Sequence, residues 1–378
     1  MSTPATTILR PEDYGGTPGL ADSTAAFQAM MDDVDRTLRR DPAGDRGTAT
    51  ATVLLAGSYT VGRSIMRPAA GRAQGLTFRG IGKRASEIVM TGGEPLFVNA
   101  DRWMGVRFYD LSFRSTNPKA SYLYSTSTGG AQDWGWTNCE WRGTWSYGIG
   151  LDGPVATSNL NSEMSWDRCH INGAYDKAFL WSGMTPTIQQ QDQFLNFALR
   201  DCKVEYDSGD ALRFDRGGSI TVTGGSWIIK GKRPDGGASR FFYLPTGIHA
   251  DSVQNLLIEG VRFEPRDPVN QVIDSSWRGQ VQFIGCTDDA WAFKTASAAD
   301  DYAPHRYTNP GGVRYQGCQL TGRHRYTQTA APSRQAIVYD QCARTVTGRR
   351  TKAGFLDLQG GYADRIRISH RDDRDGIS

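Results

Sequence analysis

The chain has 378 residues, including 44 Gly and 10 Trp, and 11% of its residues are aromatic. So many aromatic residues exclude a disordered chain, and so many Gly residues exclude a helical bundle, which leaves a β-rich protein with many turns. The net charge of +3, from 43 basic and 40 acidic residues, does not indicate nucleic-acid binding. The sequence shows neither an apolar run of 18 residues nor a signal-peptide pattern, so we expect no membrane insertion and no Sec-type export.

The N-terminal segment, residues 1–48, predicts a capping helix. Asp22-Ser23-Thr24 offers an N-cap for a helix from about Thr24 to Arg39. The apolar residues that follow at helical spacing are Phe27, Met31, Val34 and Leu38. Such a stripe would cover the open end of a strand stack, where unpaired edges are otherwise exposed. Residues 51–68 are predicted to form the opening strands.

A short pattern recurs through the rest of the chain: apolar, any, apolar, two polar or small residues, then Cys or another small apolar residue. The units begin at Leu76, Val106, Trp134, Met164, Phe197, Ile220, Leu256, Val281, Val313 and Ile337. They are 23 to 36 residues apart, and each opens with the period-2 alternation of a strand. Units of this length, with two or three strands and no helix, are typical of solenoid coils.

We therefore predict an all-β solenoid of about ten or more coils over residues 49–360. The helical segment caps its start, and a charged tail follows at 361–378. Every Cys occupies the sixth place of its unit. That register predicts a column of small apolar side chains in an interior corner, rather than disulfides or a metal ladder.

The opening of the chain contains a series of short motifs: Asp13-Tyr14-Gly15, Asp22-Ser23-Thr24, Ala26, Gln28 and Ala56-Gly57-Ser58-Tyr59. With these motifs the chain resembles the pectate-lyase-like superfamily of right-handed parallel β-helices, which includes polygalacturonase-like enzymes and bacteriophage tailspikes. The resemblance implies a right-handed parallel β-helix. The sequence lacks the paired N-x-D, D-D, G-H-G and R-x-K series of the polygalacturonase-like hydrolases, and it lacks a pectate-lyase calcium cluster. The resemblance therefore implies a fold more than an activity.

Outward positions on the first strand of each coil predict a charged patch. The fourth and seventh places of two successive units are Asp167, His170, Arg200 and Lys203. One interpretation is acid–base chemistry at Asp167, with the three basic residues binding an acidic glycan. The other is a solvated face on which opposite charges alternate.

A second column is predicted on the later strand of each coil. Aligning residues 148–153, 178–183 and 211–216 places Asp152, Ser182 and Asp215 in one outward column. Two coils of separation is roughly 9–10 Å, near the carboxylate spacing of inverting glycosidases. Asp210, just before the third strand, is a further catalytic candidate, and Glu205, on the preceding turn, is a glycan-binding candidate. Alternatively, these aspartates are turn residues.

The aromatic residues divide between core and surface in this register. Trp134, Trp136, Trp166 and Trp181 fall on inward positions. Trp145, beside Tyr147 on a turn, is predicted to be an exposed residue that stacks on sugars, with Tyr147 as a second glycan-binding residue. His249, His305 and His324 lack ligand spacing, so we assign no metal and no cofactor.

These features favour a bacteriophage tail spike or minor tail protein that binds host cell-surface polysaccharide. We expect a homotrimer located in the virion among other tail or baseplate proteins. Cleavage of the bound polysaccharide is compatible with this hypothesis. The alternatives are a stand-alone polysaccharide lyase or inverting glycoside hydrolase, and a non-catalytic structural β-helix.

Overall fold

The computed structural model describes residues 6–38, 50–66, 73–99, 103–126, 132–152, 161–185, 194–245, 254–289, 302–329, 336–344, 355–360 and 365–369. The chain divides into two compact units, Met1–Ala198 (unit 1) and Leu199–Ser378 (unit 2). In each unit, parallel strands from successive coils pair in rows. The described residues contain one α-helix, so the predicted all-β fold with an N-terminal helix is confirmed.

Unit 1 opens with a short 3-10 turn (Pro11–Tyr14) and the capping helix α1 (Thr24–Leu38). The Asp22 carboxylate accepts a hydrogen bond of 2.9 Å from the Thr24 backbone N–H at the start of the helix. The apolar stripe is buried, and Phe27 lies edge-on to Tyr59 at 5.5 Å between ring centroids. Burying this stripe against the first coil stabilises both the helix and the end of the strand stack.

The strands of unit 1 form three parallel rows, numbered by their order within a coil. Row 1 contains β1 (Thr6–Leu9), β2 (Thr50–Leu55), β5 (Leu76–Gly80), β9 (Arg107–Tyr109), β12 (Gly135–Thr137) and β15 (Ser165–Asp167). Row 2 contains β3 (Ser58–Val61), β6 (Glu87–Met90), β10 (Ser112–Ser115), β13 (Glu140–Trp145) and the first half of β16 (His170–Ser182). Row 3 contains β7 (Pro95–Asn99), β11 (Ser121–Ser125), β14 (Tyr147–Leu151) and the second half of β16. The short strands β4 (Ala73–Gln74) and β8 (Trp103–Met104) pair separately.

Unit 2 repeats the same three rows, and β17 (Phe197–Arg200) contains the boundary between the units. Row 1 contains β19 (Ile220–Thr223), β22 (Asn255–Glu259), β25 (Gln280–Ile284), β28 (Gly312–Gln316), β31 (Ile337–Asp340) and β34 (Ile366–Ser369). Row 2 contains the first half of β18 (Lys203–Phe214), β20 (Ser226–Ile229), β23 (Arg262–Pro265), β26 (Thr287–Asp288), β29 (Gln319–Leu320) and β32 (Ala343–Arg344). Row 3 contains the second half of β18, β21 (Arg240–Leu244), β24 (Gln271–Ser275), β27 (His305–Thr308), β30 (His324–Thr327) and β33 (Leu356–Gln359). The final strand, β34, lies within the segment that the sequence assigns to a C-terminal tail.

A left-handed residue at the fifth place of the repeat turns the chain from row 1 to row 2. Asn138 (φ 53°), Asp201 (φ 51°) and Gly260 (φ 64°) are examples. Gly, Asn and Asp adopt this conformation at the lowest cost, which explains why they recur at this place. The sixth place then points inward, and the cysteines there are free thiols, buried except for the partly exposed Cys342.

Candidate functional site

The outward start of row 2 in unit 1 is an ion-pair network around Glu140. Arg84 donates two hydrogen bonds to this carboxylate, Nε to Oε2 at 2.8 Å and Nη2 to Oε1 at 2.7 Å. His170 Nδ1 lies 3.2 Å from Glu140 Oε1, and Glu140 is 1% exposed. Burial acts to raise the pKa of Glu140, but the hydrogen bonds from Arg84 and His170 outweigh it and hold the pKa well below its usual range. His170, predicted to bind a glycan, is therefore a hydrogen-bonding partner of the buried Glu140 carboxylate.

The predicted four-residue patch is divided between the two units. Asp167, at the end of β15, is partly exposed, and its carboxylate lies 3.5 Å from Arg168 Nε. In unit 2, Arg200 and Lys203 are exposed, and Lys203 Nζ lies 2.6 Å from Glu205 Oε2. Such exposed ion pairs contribute little to the free energy of folding. This is what the second interpretation of the patch, a solvated face with alternating charges, leads one to expect.

Glu205 lies inside β18 and not on a turn, so its predicted location is wrong. The strand runs without interruption from row 2 into row 3 because Gly209, at φ 102°, bends it where other coils need a turn. The same continuity places Asp210 within the strand rather than before it.

The register of row 3 in unit 1 differs by one residue from the predicted alignment. Trp181 pairs with Gly150, and Ser182 pairs with Leu151. Ser182 is therefore buried, and it does not share an outward column with Asp152. Trp181, predicted to be inward, is instead partly exposed on the outer face. A shift of one residue reverses the face of every side chain, which accounts for both errors.

Trp145 is the second aromatic residue whose predicted location is wrong. It is the last residue of β13, 1% exposed, and its indole N–H donates a 2.9 Å hydrogen bond to the Arg142 carbonyl. The strand extends through the position where the sequence suggested a turn, so the side chain points into the core and cannot stack on a sugar. Tyr147, two residues later, is partly exposed as required for a surface role.

The outer face of row 3 in unit 1 combines aromatic rings with one carboxylate. We call it the Trp181 surface and define it by Tyr124, Tyr147, Gly150, Asp152 and Trp181. Tyr147 and Trp181 lie edge to face, with ring centroids 6.4 Å apart. Gly150 pairs with both Tyr124 and Trp181, so it lies between them in one outward column.

Gly150 allows its neighbours to lie directly on the strand. A Cβ at this position would stand 2.5 Å from Met184 Sδ and 2.6 Å from Tyr147 Cε2. The missing side chain therefore makes room for the Met184 side chain and the Tyr147 ring, which cover Gly150 between Tyr124 and Trp181.

Asp152 is held at the edge of this surface. Its Oδ1 accepts a hydrogen bond from the Thr185 backbone N–H at 3.0 Å, and its Oδ2 accepts one from the Thr185 hydroxyl at 2.8 Å. The Tyr124 hydroxyl lies 3.4 Å from Oδ2. Burial, and then the charge of Asp152, raise the pKa of Tyr124 to about 12. At neutral pH the surface therefore presents a protonated phenol beside a carboxylate with fixed orientation.

Unit 2 has an arginine-rich outer face in row 3, which includes the other predicted catalytic aspartates. Asp210 is fully buried, 2.5 Å from Arg233 Nη2 and 3.4 Å from Arg240 Nη1. Burial raises the pKa of Asp210, and the two guanidinium groups act against that rise. With no exposed surface, Asp210 has the contacts of a structural ion pair rather than access to a glycan. Asp215 is 8% exposed and receives two hydrogen bonds from Arg213, of 2.7 and 3.2 Å.

Asp274 is a carboxyl group on this face that the sequence analysis missed. It pairs with Tyr243, which in turn pairs with Arg213, so all three share one outward column. Its side chain is 29% exposed, and Arg240 Nε lies 3.4 Å from Oδ2. Burial raises the pKa of Asp274, against the opposing effect of Arg240 and Arg306. Aligning residues 271–276 with the other coils could have placed Asp274 on this face. The sequence alone, however, does not show which of the many Asp residues has a shifted pKa.

The described residues contain no cluster of three or more His, Cys, Asp or Glu side chains arranged for a metal ion. In the same part of the chain, no helix is long and apolar enough to span a membrane. Trp291 and His249 lie outside the described residues.

Solved structures match this chain, whereas no protein-family model and no curated protein does. The DFA-IIIase of Arthrobacter chlorophenolicus A6 matches 97% of this chain and 100% of its own, with a TM-score of 0.55 and 10% identity. The gp42 tailspike of Acinetobacter phage vb_AbaP_AS12 matches 97% of this chain, with a TM-score of 0.52 and 11% identity. The chain spans 63% of that tailspike's length. At such low identity the likeness establishes the fold alone, the right-handed parallel β-helix that the sequence predicted.

Proposed function

We propose that this chain is a bacteriophage tail protein that binds a cell-surface polysaccharide through the Trp181 surface. The observation that carries the proposal is the outward column in which Tyr124 and Trp181 flank Gly150, with Tyr147 and Asp152 beside them. The fold shared with the gp42 tailspike of Acinetobacter phage vb_AbaP_AS12 is consistent with it.

The groups on this surface match the chemistry of a sugar. The C–H face of a pyranose packs on an aromatic ring, and Trp and Tyr contribute much of the binding energy where a ligand covers them. The Asp152 carboxylate accepts hydrogen bonds from sugar hydroxyls, and the Tyr124 hydroxyl, which donates to Asp152, can accept one. Because these groups stand on paired strands, the surface is formed before the ligand arrives, and little entropy is lost on binding.

Replacing Trp181 tests this proposal. We expect Trp181→Ala to weaken binding of envelope polysaccharide at least tenfold, since it removes the largest exposed ring of the surface. Affinity electrophoresis in gels that contain the polysaccharide measures the loss. Tyr109→Ala is the matched control, because Tyr109 is a partly exposed outward ring on row 1 of the same unit. Equal binding by Trp181→Ala and wild type, with both proteins folded, would reject the proposal.

Hydrolysis of the polysaccharide is a second candidate function, and Asp274 favours it. A general acid must hold a proton at working pH, and a raised pKa shifts a partly exposed carboxyl towards its protonated form. Asp274 would protonate the glycosidic oxygen as the C–O bond breaks. Water would then add at the anomeric carbon and pass its proton to a second carboxylate. Asp215 is a candidate base because it lies two residues after Arg213. The strand of Arg213 is separated from that of Asp274 by one strand, which contains Tyr243.

The hydrolysis proposal predicts a separation of cleavage from binding. We expect Asp274→Asn to abolish release of new reducing ends from the bound polysaccharide and to leave retention in the affinity gel unchanged. Asp357→Asn, on β33 of the same row, is the control for removing one carboxylate from this face. Wild-type release rates in Asp274→Asn would remove Asp274 from any catalytic role.

A further inference from the structure

Row 3 differs in charge between the two units. In unit 1 it consists of residues 95–99, 121–125, 147–151 and 178–182, and these contain no Lys or Arg. The segments 153–160 and 186–193, which follow two of these strands in sequence, contain none either. In unit 2 the same row carries Arg213, Arg240, Arg306 and Arg325. The Trp181 surface therefore belongs to the row that lacks basic residues.

The polar groups of the Trp181 surface are one carboxylate and neutral hydroxyls. Burial raises the pKa of Tyr147 as well as that of Tyr124, so both phenols are uncharged at neutral pH. Asp152 is oriented by the two hydrogen bonds from Thr185, which keep its carboxylate at the edge of the surface. A sugar hydroxyl can donate to Asp152 and accept from a phenol. A sugar carboxylate would approach Asp152 with like charge. Residues 95–99, 121–125, 147–151 and 178–182 supply no cation to offset the repulsion, and Lys177, earlier on β16, lies 3.0 Å from the Asp176 carboxylate.

We infer that the Trp181 surface selects uncharged sugar units, neutral hexoses or N-acetylated amino sugars, over uronic or sialic acids. This inference rests on the proposed glycan-binding function and names its ligand class. Recognition then depends on ring stacking and hydrogen bonds, which salt screens little, and not on ion pairs, which salt screens strongly.

A glycan array that contains neutral, N-acetylated and uronic- or sialic-acid glycans tests the inference. Wild type, Trp181→Ala and the control Tyr109→Ala are compared as full chains at about 50 mM and about 500 mM NaCl. We expect the glycans that lose at least tenfold signal in Trp181→Ala to be uncharged. We also expect their signal in wild type to change less than twofold between the two salt concentrations.

The outcomes separate this inference from the function on which it rests. Binding of uronic- or sialic-acid glycans that depends on Trp181 and falls with salt would overturn the inference and leave glycan binding in place. Absence of Trp181-dependent binding to any glycan of the array would overturn the proposed function and the inference together.

Discussion

At the scale of single residues, Glu140 is a carboxylate held ionised in a nearly dry environment. It is 1% exposed, and Arg84 and His170 both contact it. Removing one partner of a buried ion pair is costly because the remaining charges lose their compensation. Asp133 differs from Glu140, because it remains 58% exposed in its pair with Arg107. Water can therefore compensate the charges of that pair when one partner is removed.

We expect Glu140→Gln to lower the free energy of unfolding by about 2 kcal/mol at pH 7, while Asp133→Asn changes it by less than about 1 kcal/mol. The pKa of Glu140 is lowered in the folded state, so its stabilisation is fully present above the unfolded pKa of about 4.3 and is lost as pH falls below that value. The difference between wild type and Glu140→Gln should therefore shrink between about pH 5 and pH 3. Urea unfolding at several pH values measures it, and a difference independent of pH would contradict the assignment.

At the scale of elements, paired strands in unit 2 place identical sequences side by side. Residues 305–308 and 324–327 both read His-Arg-Tyr-Thr, and they pair in register as β27 and β30. His305 stacks on His324 at 4.1 Å, and Tyr307 on Tyr326 at 5.0 Å, all of them buried. Such a direct repeat is a sequence signal from which their pairing, and their place in the core, could have been predicted.

These buried rings carry polar atoms, and hydrogen bonds within and between coils engage several of them. His305 Nε2 lies 3.1 Å from Asp288 Oδ2, and His305 Nδ1 lies 2.8 Å from the Tyr315 hydroxyl. His324 Nδ1 similarly lies 2.8 Å from the Tyr339 hydroxyl. Polar groups in an interior are tolerated when they bond to one another, so these histidines act as core residues. The spacing of these histidines in the sequence does not predict their contacts with Asp288, Tyr315 and Tyr339.

At the scale of the whole molecule, the charge balance does not oppose association between copies of the chain. With a formal net charge of +3, the chain has little self-repulsion to oppose contact between copies. We expect a homotrimer with a solution mass of about 125 kDa, three times the 41.6 kDa chain, by light scattering on a sizing column. A mass near that of one chain, unchanged over a hundredfold range of concentration, would contradict the trimer.

The sequence by itself determined the coil repeat, the capping helix and the inward column of cysteines. Each depends on local alternation, on helical spacing or on a residue such as Asn138 or Gly260 that adopts the left-handed turn at low cost. The tertiary structure decided what lies on the outer face. Pairing between coils sets the register there, and a shift of one residue moved Trp181 outward and Ser182 inward. Burial likewise raised the pKa of Asp274, since desolvation depends on neighbours that are distant in sequence.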